Sequence, residues 1–138
     1  QQVRNGSRPS QHQTQLIMGH CSSLDINEYQ QLARRTAIYP DAGNPNSNGA
    51  NMVYPTLGLS GEAGEVAEKV KKVIRDKGGQ FDDDTRLAIC KELGDVLWYV
   101  AQIASELNLD LSNVAQQNLD KLADRAKRGK IKGNGDDR

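Results

Sequence analysis

YPTLGLSGEAGEVAEKVKK (residues 54–72) and KELGDVLWYVAQIASELNL (residues 91–109) are the stretches whose periodicity decides the fold. In the first, Leu59, Ala63, Val66, Ala67 and Val70, continued by Val73 and Ile74, recur at the spacing of one helix face. This predicts a helix from near Thr56 to about Asp76, ended by Gly78-Gly79. In the second, Leu93, Leu97, Val100, Ala101, Ala104 and Leu107 extend a stripe that starts with Leu87 and Cys90. The spacing predicts a helix over 85–107, with Asp82, Asp83 and Asp84 ahead of it at the positive end of the helix dipole.

Two further helices flank this pair. Asp25 followed by Glu28 has the form of a capping box, and Ile26, Tyr29, Leu32, Ala33 and Ala37 follow at helical spacing, predicting a helix over 26–38. After a break at Asn108–Asp110, Leu111, Val114, Ala115, Leu119, Leu122 and Ala126 predict a last helix over 111–128. Residues 40–54, PDAGNPNSNGANMVY, are rich in Gly, Asn and Pro and read as a long loop. No segment alternates as a strand does. The expected fold class is all-α, a four-helix bundle.

The chain has 138 residues, one domain's worth. Residues 1–23 read as a leader and 24–138 as the domain. The first seventeen residues are polar, Gln-rich and lack a signal-peptide apolar core. Met18 is a candidate start, which would make the leader vector-derived; a functional arm is the rival reading. Eighteen Lys and Arg balance eighteen Asp and Glu, so no net field points to nucleic acid or a membrane surface. Aromatics at 4% argue against an RNA-reading surface of stacked rings. The apolar runs fall far short of the roughly 20 residues that span a bilayer. Cys21 and Cys90 make no disulfide framework, so the expected location is the cytoplasm. Apolar residues at 36% are few for a compact monomer, so the chain is expected to hide more surface by forming homo-oligomers.

The chemistry-bearing feature is a set of helix acids. Glu62 and Glu65 lie three apart on one helix, Glu92 and Asp95 three apart on the next. Each pair shares a helix face. Side by side, the two helices would bring four carboxylates together. Ordinary surface pairing, such as Glu65–Lys69 and Glu68–Lys72, is the competing reading. Against it stand Gly61, Gly64 and Gly94, each costing about 1 kcal/mol in a helix and suited to close approach of a backbone or a ligand. The apolar neighbours Leu59, Ala63, Val66, Leu93, Val96 and Leu97 also set these acids at the edge of a buried stripe. Carboxylates crowded there repel and need a counter-charge. An all-oxygen donor set favours Mg²⁺, with Mn²⁺ as the other choice. Both histidines, His12 and His20, precede the helices, which removes Glu-x-x-His di-iron, zinc-hydrolase and Ser-His chemistry from the body of the chain.

The last helix adds positive charge. Asn118, Lys121 and Arg125 fall on one stripe, and residues 121–138 carry seven basic against three acidic side chains, a local net of +4. A solvated basic tail is one reading, an edge that holds polyphosphate is the other. No P-loop pattern is present.

In this order, YPTLGLSGEAGEVAEKVKK, KELGDVLWYVAQIASELNL and NLDKLADRAKRGKIKGNGDDR resemble the MazG-like all-α nucleotide pyrophosphohydrolases over residues 26–138. The resemblance implies Mg²⁺-dependent cleavage of a nucleoside triphosphate to monophosphate and pyrophosphate, as in house-cleaning or control of dNTP pools. It implies Glu62, Glu65, Glu92 and Asp95 as metal ligands, with Glu68 ranked below them. It implies Asn118, Lys121 and Arg125 as substrate residues, with Gly133, Gly135, Asp136 and Arg138 in a tail over the phosphates. It also implies a homodimer or homotetramer that completes the bundle and the pocket.

On this reading the bound metal screens the triphosphate for attack by water at the α-phosphorus. Glu65 is the expected proton acceptor, with Lys121 and Arg125 at the β,γ end. Tyr99, four residues after Asp95, is expected to stack on the base, while Trp98 belongs to the core. Asn44, Asn46, Asn48 and Asn51 would read a base edge if the 40–54 loop is more than a solvated turn. Its amides favour a purine deoxynucleotide such as dGTP. A non-catalytic helical module binding a nucleotide or a partner helix is the alternative. A nucleic-acid binder using the basic tail ranks last, because the rest of the chain is compensatingly negative.

Overall fold

The computed structural model of the protein describes residues 23–132. The leader through residue 22 and the tail from Gly133 to Arg138 lie outside the described residues. Four helices follow in order: α1 (Ile26–Arg34), α2 (Ala50–Lys77), α3 (Asp83–Glu106) and α4 (Leu111–Lys127). No strand occurs among the described residues, so the fold class is all-α as the periodicity requires. No described helix is long and apolar enough to cross a membrane.

The helix ends follow from local chemistry. Asp25 caps α1, its Oδ1 accepting from the Glu28 backbone N–H at 2.7 Å. The helix ends at Arg34, short of the expected 38, because Arg35, Thr36 and Ala37 turn more tightly and donate to carbonyls three residues back. The α2 start differs more: the helix begins at Ala50, so residues 50–54 are helical and not loop. Pro55 sits inside α2, just past its first turn, where it forfeits one intrahelical bond and is fully buried. At the start of α3, Asp82 accepts from the Thr85 N–H at 2.8 Å and from Lys77 Nζ at 2.7 Å. These bonds hold its carboxyl well below the usual carboxylate range. Asn108 (φ 54°) takes the left-handed conformation after α3, and the Leu109 N–H returns to the Ala104 carbonyl at 2.9 Å.

The described residues form two compact units. One comprises Leu57–Leu97, the C-terminal part of α2 and the N-terminal part of α3. Here Val73 and Thr85 are buried. The other comprises Asp25–Thr56 and the described residues from Trp98 onward. Its core is Ala33, Ala101, Ala104 and Leu111, with Tyr29, Trp98 and Val100 packed against it. Small residues at this core let α1 lie close to α4. Gln30 ties the layers together, donating to Ser105 Oγ and the Leu109 carbonyl and accepting from the Leu111 N–H.

Several positions of the apolar stripes stay open in the single chain. Leu57 is 68% exposed, Ile74 65% and Leu119 61%, and Leu93, Leu97, Leu107, Val114 and Leu122 are exposed too. The stripes are helical as expected, and among the described residues these side chains are left uncovered.

Candidate metal centre

Within Leu57–Leu97, α2 carries Glu62 and α3 carries Glu92 and Asp95, and one carboxylate oxygen from each lies within 4.8 Å of the others. The i, i+3 spacing of Glu92 and Asp95 puts both on the face that meets α2. Glu62 and Glu92 are half-buried and Asp95 is exposed. Glu65, expected as a fourth ligand, is exposed and does not join this group. Its charge is still felt there. Burial first, then the charges of Asp95, Glu92 and Glu65, push the Glu62 carboxyl up from its ordinary pKa. A cation relieves that repulsion, and three carboxylates make a hard-oxygen set that fits Mg²⁺ or Mn²⁺.

The lysines and acids of α2 take separate partners here. Lys69, which the competing reading pairs with Glu65 along its own helix, reaches across to α3, with Nζ 3.0 Å from Glu92 Oε1. Glu68 pairs with Lys71 and with Lys72, the latter at 3.4 Å, and so is a surface ion pair. The glycines do not work as expected from close helix approach. A Cβ at Gly61, Gly64 or Gly94 would meet nothing within 4 Å, because α2 and α3 meet here through long charged side chains. Those positions leave open space beside the acids.

The second unit holds an aromatic cavity of about 290 Å³ lined by Thr36, Ile38, Tyr39, Pro40, Tyr54, Trp98 and Tyr99. The rings brace one another: Tyr39 stacks on Tyr54 at 5.6 Å, and Trp98 meets Tyr99 edge-on at 5.0 Å. Trp98 packs on the core as expected, its indole N–H donating to Thr36 Oγ1 at 2.8 Å. Tyr99 is half-buried and lines the cavity. The sequence reading missed Tyr39 and Tyr54. In a chain with only six aromatic residues, their positions on either side of one loop are the signal that was available.

Glu106 explains how the 39–51 segment is held. Its Oε1 accepts from Tyr39 Oη at 2.5 Å, Arg34 Nη2 at 2.8 Å and the Gly43 N–H at 3.0 Å, and its Oε2 accepts from Asn51 Nδ2 at 2.7 Å. Burial opposes its ionisation, but the bonds from Tyr39, Asn51, Arg34 and Gly43 outweigh it and bring the pKa down to about 2. Burial first, and then the bond to Glu106, push Tyr39 up to about 12 against the opposing effect of Arg34. Asn51 is therefore engaged in the fold, and Asn44 donates to Asp41 at 3.0 Å. Of the four loop asparagines that could read a base edge, these two have their amides turned to internal bonds.

On α4, Asn118 and Lys121 are exposed, whereas Arg125 is 5% exposed. Arg125, two helical turns after Asn118 and so on the same side of α4, is nonetheless buried. Arg138 lies outside the described residues.

A sequence profile described as "MazG nucleotide pyrophosphohydrolase domain" matches residues 55–129, more than half of the chain. The chain belongs to the MazG nucleotide pyrophosphohydrolase family. The match contains all three converging carboxylates, the aromatic residues Trp98 and Tyr99, and α4. The "Gene 37 protein" of Mycobacterium phage L5 is 50% identical over 115 residues, covering 83% of this chain and all of that protein. No solved structure matches. In this MazG domain, Glu62, Glu92 and Asp95 are the residues able to hold a divalent ion.

Proposed function

We propose that the chain hydrolyses a nucleoside triphosphate to the monophosphate and pyrophosphate. The observation that carries this reading is the convergence of Glu62, Glu92 and Asp95 within a MazG domain. A divalent ion held by them, Mg²⁺ or Mn²⁺, supplies charge that screens the triphosphate and polarises the phosphorus under attack. The chain's own groups do the rest. Glu65, exposed and one helical turn from Glu62, takes the proton from the attacking water. Asn118 and Lys121, both exposed on α4, bind the phosphate chain, Lys121 as a point charge at the β,γ end, and Arg138 joins them from the tail. Arg125, on the same side of α4 as Asn118 though buried, is the further cation of this set. No covalent intermediate on the chain is required.

Tyr99 with Tyr54 offers aromatic surface for a base, and a large purine ring gains most from stacking. This supports a purine base, and we extend the proposal to a deoxynucleotide such as dGTP and to a role in adjusting dNTP pools in the cytoplasm. The exposed side chains of Leu57, Ile74 and Leu119 support assembly into a homodimer or homotetramer.

The test is substitution of the converging carboxylates by their amides. Glu92→Gln and Asp95→Asn each lower Mg²⁺-dependent pyrophosphate release by at least about 100-fold while the helical circular dichroism spectrum is kept. Near-normal turnover in both variants rejects the assignment.

A further inference from the structure

The acidic triad is three carboxylates in one small space, yet the chain folds them together. The only cation that the structure places on the triad, among the described residues, is the ammonium of Lys69, 3.0 Å from Glu92 Oε1. Lys69 follows Glu62 by seven residues, two helical turns, so both side chains rise from the same face of α2. The other α2 lysines behave differently: Lys71 and Lys72 pair with Glu68, and Lys77 with Asp82. The Lys69–Glu92 pair is also the less exposed one, with side chains 34% and 18% exposed against 53% and 39% for Lys72–Glu68.

We propose that Lys69 is the built-in counter-cation of the metal centre. It neutralises Glu92 while no divalent ion is bound, and it must give up Glu92 when one arrives. Lys69 thereby lowers the affinity of the centre and makes loading an exchange of an ammonium for a metal. This inference rests on the metal-centre reading above, and not on which nucleotide is cleaved. Two unit charges 4 Å apart interact weakly in water and several-fold more strongly near a protein surface, so removing the competitor has a measurable effect.

The experiment is a Mn²⁺ titration of the full chain without nucleotide, followed by the electron paramagnetic resonance signal of free Mn²⁺. Lys69→Met, which keeps the aliphatic stem and drops the charge, binds the first Mn²⁺ about tenfold more tightly than the parent. Lys69→Arg keeps the charge and stays within about twofold, as does Lys71→Met, the control for a general field effect. Thermal unfolding adds a readout of opposite sign: without metal, Lys69→Met melts below the parent, and Mn²⁺ raises its Tm by more than it raises the parent's. Lys69→Gln repeats both measurements in case the methionine disturbs packing. Equal or weaker Mn²⁺ binding by the charge-removed variants, or equal tightening in Lys71→Met, overturns the proposal. Failure of the parent itself to bind Mn²⁺ overturns the metal-centre reading, a distinct result.

Discussion

Replacing Glu106 by glutamine removes the acceptor on which four parts of the second unit converge. The carboxylate takes bonds from Arg34, Tyr39, Gly43 and Asn51, and its side chain is only 2% exposed. Its pKa falls from the ordinary 4.5 to about 2 in the fold. A displacement of that size is worth about 3 kcal/mol of stability at neutral pH. The sign follows from the direction. A depressed carboxyl pKa stabilises the fold fully above pH 4.5, and this contribution fades as pH falls through 2. In Glu106→Gln an NH₂ group would face donors, so the variant loses about 3 kcal/mol at pH 7. Urea denaturation of parent and variant at intervals between pH 7 and pH 2.5 measures both quantities. The gap between the two proteins should be widest at pH 7 and shrink steadily below pH 4.5. A gap under about 1 kcal/mol at pH 7, or one that does not change with pH, refutes the reasoning.

The other predictions concern separate parts of the fold. Gly43 has φ 72°, and a Cβ there would stand 3.1 Å from Arg34 Nη2, so Gly43→Ala should cost about 1–2 kcal/mol in denaturant unfolding through strain at the Glu106 cluster. Arg125→Ala should lower Tm by several degrees because its side chain is buried, and Lys121→Ala should raise KM for the triphosphate. Tyr99→Ala should raise KM and flatten the preference among bases, read from kcat/KM across the four deoxynucleotides, if the aromatic cavity holds the base.

The helices were legible because each carries an apolar stripe of the right period and a chemical stop. Asp25, Gly78 and Asn108 mark ends that the structure keeps within a few residues. The early start of α2 was not legible, since Pro55 reads as a boundary unless its burial in the second unit is known. Three of the four acids were placed together by spacing alone. Glu65 fell outside because residues three apart on a helix still diverge by about 60°, enough for one acid to meet the neighbouring helix while the other stays exposed. The Glu106 cluster was invisible for a similar reason. Residues 34, 39, 43, 51 and 106 have no common period, and only the folded chain brings their polar atoms to one carboxylate. The i, i+4 rule offered Lys69–Glu65 as the competing surface pair, and that rule does not weigh a partner on another helix.

The central claim is that the Glu62, Glu92 and Asp95 centre serves cleavage between the α- and β-phosphates. The most direct measurement incubates the protein and Mg²⁺ with a panel of ribo- and deoxynucleoside triphosphates and resolves the products by anion exchange. The account predicts monophosphate and pyrophosphate in equal amounts, with no product when Mg²⁺ is chelated. Diphosphate with inorganic phosphate, or no turnover of any triphosphate in the presence of Mg²⁺ or Mn²⁺, would contradict it.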